Sequence, residues 1–161
     1  MHLPDFTLPP VFAAVGRRLP QRPPALALVA ALNLALGRVL SRETLEPLLG
    51  KRLLIRVSDA GADLAFVLTE TGFRAGDASA SADLCITARV RDFLALALRE
   101  EDADTLFFSR RLLMEGDTEL GLLVKNTLDA IELPPLQVSE LAPWRIAARI
   151  GAGLGSLPLR R

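Results

Sequence analysis

The chain has 161 residues, half of them hydrophobic, which suits one domain with short extensions and a sizeable core. Its single cysteine, Cys85, excludes an internal disulfide and a thiolate metal centre, and fits a reducing cytoplasm. The 19 basic and 19 acidic residues cancel, but unevenly: residues 1–24 carry +2, residues 139–161 carry +3, and residues 25–138 carry −5. A nucleic-acid binder wants a basic stripe on the fold itself, so an acidic body argues against one. Basic ends beside apolar stretches suit an anionic membrane surface.

Residues 1–24 read as a Pro-rich N-terminal arm containing Pro4, Pro9, Pro10, Pro20, Pro23 and Pro24. Proline fixes φ and removes a donor, so long regular structure is not expected there. A short amphipathic turn at Val11–Val15 is the exception. The arm lacks the continuous apolar region of a secretory signal.

Pro24 is well placed as the first residue of a helix that continues through ALALVAALNLAL, interrupted only by Asn33. A helix apolar on nearly all sides is either buried or set against lipid, and both readings stay open. At about a dozen residues the run is short of the roughly 20 needed to span a bilayer. Residues 42–49 read as a second short helix closed by Gly50.

Leu53, Ile55 and Val57 alternate with Leu54 and Arg56. Leu64, Phe66 and Leu68 alternate with Ala65 and Val67. With Asp59-Ala60-Gly61 between them, these runs predict a hairpin. A short strand is expected around Phe73 and a fourth at Leu84–Thr87. Val90–Arg99 is helical by pattern. Arg110–Glu115 reads as a fifth strand, on which Arg110 and Arg111 would point to opposite faces. One of them could then anchor a polar head group; the alternative is a surface ion pair with the acidic cluster Glu100, Glu101, Asp102 and Asp104. That cluster lacks cation-loop spacing and reads as a solvated loop.

Asp117 is a good N-cap for a helix to about Glu132, with Leu120, Val124, Leu128 and Ile131 as its apolar stripe and Lys125 with Asp129 on the wet side. The domain is expected over 25–138. Residues 139–161 form an amphipathic basic tail. Its Trp144, Arg145, Arg149 and Ile150 are candidates for membrane contact, and a packing helix is the alternative. The whole reads as α+β, with a five-stranded, largely antiparallel sheet and helices on one face.

Reactive groups are scarce. His2 is the sole histidine and lies in the arm, so no triad, zinc or haem site is expected, and no catalytic, metal or cofactor residue is assigned. A core rich in Leu, Ala and Phe without a catalytic set leaves the binding of something apolar.

Phe107-Phe108-Ser109-Arg110-Arg111-Leu112, then Glu115 to Leu122, then Lys125-Asn126 and Asp129 to Glu132 resemble the UbiT family of ubiquinone biosynthesis accessory factors, within the sterol carrier protein type-two superfamily. The likeness covers roughly residues 40–133. It implies a sterol-carrier fold with an apolar tunnel and no enzymatic activity. It also implies a role in presenting ubiquinone-pathway isoprenoid lipids in the oxygen-independent route, with UbiU and UbiV as partners. The place would be cytoplasmic, peripheral at the inner face of the membrane. The alternatives are a general phospholipid-transfer protein, or a structural adaptor for partner hydroxylases. The candidate lining residues are Phe66, Leu68, Phe73, Ile86, Phe93, Phe107, Phe108, Leu120, Val124 and Leu128.

Overall fold

The computed structural model describes residues 3–35 and 42–130. The expectations for 139–161, Trp144, Arg145, Arg149 and Ile150 among them, lie outside the described residues.

Strands β1 (Arg52–Val57) and β2 (Ala62–Thr69) form the hairpin that their alternation predicts, with Leu53 opposite Phe66 and Ile55 opposite Leu64. The turn uses Gly61 at φ 63, a left-handed conformation that glycine adopts without a Cβ penalty. Strand β3 (Gly72–Ala75) pairs antiparallel with β2. Strand β4 (Leu84–Ala88) returns to pair parallel with β1, and β5 (Leu113–Gly116) pairs antiparallel with β4. The order is β3-β2-β1-β4-β5, so the expected five-stranded, largely antiparallel sheet is present with one parallel seam at its centre.

The helices are α1 (Pro10–Gly16), α2 (Arg22–Ala35), α3 (Arg42–Leu45) running into a 3-10 turn at Glu46–Leu48, α4 (Val90–Ala97), α5 (Ala103–Phe108) and α6 (Thr118–Ala130). Asp117 accepts from the backbone N–H groups of Glu119 and Leu120 at 3.0 and 3.2 Å, the cap expected of it. Asp102 does the same for α5, accepting from the Thr105 N–H at 2.6 Å.

That second cap explains the one misplaced element. Leu106-Phe107-Phe108 lies in α5, and Arg110 and Arg111 are not on a strand. Arg110 sits at φ 58 in the turn after α5, and β5 starts only at Leu113. Side chains therefore do not alternate across a sheet at Arg110 and Arg111.

Register assigns the two faces of the sheet. Leu53, Ile55, Leu64, Phe66, Leu68, Phe73, Leu84, Ile86 and Met114 share one face. The helices contribute Val29, Leu106 and Leu120 to the same core, with Leu28, Leu32, Phe93, Leu96 and Val124 packed against it. Arg52, Arg56, Arg74 and Glu115 lie on the other face, in water. Leu84, Leu106 and Leu112 are almost wholly buried, each contributing about 1.5–3 kcal/mol by removal from water.

Helix α2 covers β2 and β3. It buries Ala25 and Val29 on one side and leaves Leu26 exposed. Asn33, the interruption in its apolar run, accepts from the Phe73 N–H at 2.7 Å and donates to the Phe73 carbonyl at 2.9 Å. One side chain thus satisfies two backbone groups on the edge strand.

Candidate lipid-binding site

The apolar layer between sheet and helices is not sealed evenly. Along β1 the covered face passes from Leu53, 3% exposed, to half-buried Ile55 and Val57. Along β2 it passes from Leu68 and Phe66, 5% and 6% exposed, to half-buried Leu64. Ile55 and Leu64 are cross-strand partners. Central-strand side chains under a helical layer are ordinarily sealed, so helices α2, α4 and α6 leave this end of the sheet accessible. Burial also falls along α6, from Leu120 to half-buried Leu123, Val124 and Leu128.

Of the candidate lining residues, Phe66, Leu68, Phe73, Ile86 and Leu120 lie together in this core, and Phe93, Val124 and Leu128 pack against it. Phe66 and Phe73 meet edge to face with ring centroids 6.0 Å apart. Phe107 and Phe108 are not brought to the layer. They are 40% and 79% exposed on the outer side of α5 and pack on each other. Ile55 and Leu64, at the accessible end, were absent from the candidates. Hairpin alternation centred on Asp59-Ala60-Gly61 carries the signal that would have found them, because it pairs Ile55 with Leu64.

A polar cluster closes the far side of α4. Asp92 is wholly buried and accepts from Arg89 Nε and Arg111 Nε, both at 3.0 Å. Glu101 binds both Arg91 and Arg111. The hydrogen bonds from Arg111 and then Arg91 hold the Glu101 carboxyl below the usual carboxylate range, and the same contacts with Glu101 and Asp92 raise Arg111. So Arg111 makes the ion pair with the acidic cluster, Asp102 is a helix cap, and Asp104 binds Lys125. The segment from Leu3 to Leu8 runs across this cluster. The Leu3 N–H donates to Glu100 at 2.7 Å, Arg89 donates to Thr7 Oγ1 at 2.9 Å, and the Leu8 N–H donates to Asp59 at 3.2 Å. With every carboxylate named here engaged in structural bonds, the cluster ties the chain together.

A groove of about 330 Å³ opens at the other end of the sheet, lined by Arg42, Glu43, Glu46, Leu49, Leu68, Thr69 and Glu70. It is a surface depression with a charged rim, unlike the enclosed apolar tunnel that the sterol-carrier resemblance implies.

A five-stranded sheet covered on one face by helices over a greasy, partly open layer defines a sterol-carrier-type domain. The chain belongs to the SCP-2 sterol transfer family, which matches residues 32–129. Among curated proteins it is similar to ubiquinone biosynthesis accessory factor UbiT of Escherichia coli (strain K12), with 42% identity over 116 residues, 71% of this chain and 66% of that protein. The figures are the same for the UbiT of Escherichia coli O157:H7, so the match spans just under two thirds of these relatives. Among solved structures, UbiJ-SCP2 ubiquinone synthesis protein superposes with a TM-score of 0.55 at 24% identity, covering 68% of this chain and 97% of that one, a likeness of fold.

Proposed function

We propose that this chain is a non-catalytic lipid-binding accessory factor that holds and presents isoprenoid intermediates of ubiquinone biosynthesis, in the oxygen-independent route. The observation that carries the reading is the half-buried Ile55–Leu64 pair in the middle strands of a helix-covered sheet. Such a site gains about 0.8 kcal/mol per CH₂ of a chain it removes from water, with no reactive group required. Similarity to UbiT supports the pathway, and family membership supports the ligand class. The partners in this reading are the hydroxylase components UbiU and UbiV and the inner face of the cytoplasmic membrane. The candidate ligand-contacting residues are Phe66, Leu68, Phe73, Ile86, Phe93, Leu120, Val124 and Leu128, joined by Ile55 and Leu64. The test is mass spectrometry of organic extracts of the purified chain. Prenylated phenols are expected. Diacyl lipids alone would replace the reading with a general phospholipid carrier, and an extract free of lipid would overturn it.

A further inference from the structure

We infer that α1 is a membrane-docking element, which seats the chain on an anionic bilayer through Val11, Phe12, Val15 and Leu19 with Arg17 and Arg18 at the rim. These four apolar side chains are 60%, 53%, 51% and 58% exposed. At helical spacing Val11, Phe12 and Val15 fall within a third of a turn of each other, so they form one patch. The patch turns away from the body. Ala13, on the opposite side, is buried.

The mounting of α1 is rigid. A Cβ on Gly16 would lie 1.8 Å from the Ala60 carbonyl oxygen, and one on Gly61 would lie 2.2 Å from the Ala13 carbonyl oxygen. Helix and hairpin turn therefore touch backbone to backbone. Gln21 locks the next turn, donating to the Gly16 and Leu19 carbonyls at 2.7 and 3.0 Å and accepting from the Asp63 N–H at 3.1 Å. A helix of seven residues is not stable on its own, so these contacts hold it. They hold it with its greasy face in water, which costs free energy unless something covers it.

Charge selects the cover. Arg17 and Arg18 are exposed and make no ion pair among the described residues. The carboxylates at this end are engaged, Asp59 by the Leu8 and Val90 N–H groups and Asp63 by Arg56. An apolar patch rimmed by free arginines, on a segment of charge +2 attached to a body of −5, matches an anionic lipid surface. The location agrees. α1 rests on the turn joining β1 to β2, and Ile55 and Leu64 are the half-buried residues toward that turn. Docking there sets the accessible end of the apolar layer beside the lipid. This deepens the carrier reading, yet vesicle binding and lipid extraction are separate measurements, so either can fail alone.

The test is flotation of the full chain with vesicles of phosphatidylethanolamine, with and without phosphatidylglycerol. Wild type is expected to float, more strongly with phosphatidylglycerol. F12E/V15E is expected to bind at least about tenfold more weakly, with unchanged circular dichroism. R17E/R18E, at exposed positions that leave the fold intact, is expected to lose the phosphatidylglycerol preference. In a W144F background, F12W is expected to show a blue-shifted emission on vesicles. Wild type that does not float, wild-type binding by a folded F12E/V15E, or an emission unmoved by vesicles would each overturn the inference. So would a dimer in analytical ultracentrifugation that F12E/V15E dissolves while vesicle binding stays the same, since α1 would then serve a second copy of the chain.

Discussion

Asp92 and Arg91 stand side by side on α4. In the fold Asp92 has no exposed surface, and Arg91 keeps only 5%. Two carboxylates, Asp92 and Glu101, face three guanidiniums from Arg89, Arg91 and Arg111. Removing one buried partner leaves the others desolvated and unpaired, which outweighs the pair's own net worth. Asp92→Ala is therefore expected to cost about 3 kcal/mol, read as a lower urea midpoint; a loss under about 0.5 kcal/mol would refute the cluster's structural role. The pH dependence follows from Glu101. Its carboxyl is held low by Arg111 and Arg91, so its stabilisation is fully present above the ordinary carboxylate pKa and is lost as pH falls through the depressed folded value. Urea midpoints on acidification should fall less steeply in Glu101→Gln than in wild type. The burial of this cluster was not legible beforehand, because it depends on Arg111, 19 residues beyond Asp92, and on the N-terminal segment, contacts that no local pattern encodes.

Elements with a strong period were legible. β1, β2 and β4 follow from alternation, and α6 follows from its cap and apolar stripe. α5 was not, since Leu106-Phe107-Phe108 is too short to distinguish a period of 2 from one of 3.6. Its signal was Asp102, a cap of the same kind as Asp117, followed by Asp104 in the first turn. Phe107 and Phe108, both named as candidate lining residues, lie on α5 and are exposed, away from the apolar layer. Asn33 shows the converse: a residue read as a blemish in an apolar helix is the bond between α2 and the sheet edge. Asn33→Ala removes both hydrogen bonds to Phe73 and bares the β3 edge. An expected loss of about 1–2 kcal/mol follows, with faster amide exchange at Phe73 than elsewhere in the sheet. Unchanged protection at Phe73 would show that α2 is held by apolar packing alone.

For the whole molecule, the arrangement of charge bears on how the proposed docking to a bilayer would proceed. Both ends of the sequence are basic and the stretch between them is acidic, so an anionic surface attracts the termini and repels the middle. Among the described residues no helix is long and apolar enough to cross a membrane. Residues 139–161 carry +3 together with Trp144, Ile146 and Ile150. At about 1 kcal/mol per net basic charge near an anionic leaflet, their removal should weaken binding to phosphatidylglycerol vesicles by about two orders of magnitude. Because exposed charges are screened within roughly 10 Å at 0.1 M salt, the part of the loss due to charge should shrink as salt is added. The apolar contribution of Phe12 and its neighbours should persist. Sedimentation with vesicles across a salt series separates the two. If the truncated chain sediments as wild type does at low salt, the tail takes no part and α1 alone must account for binding. If truncation abolishes sedimentation at every salt concentration, the anchoring role assigned to α1 fails instead.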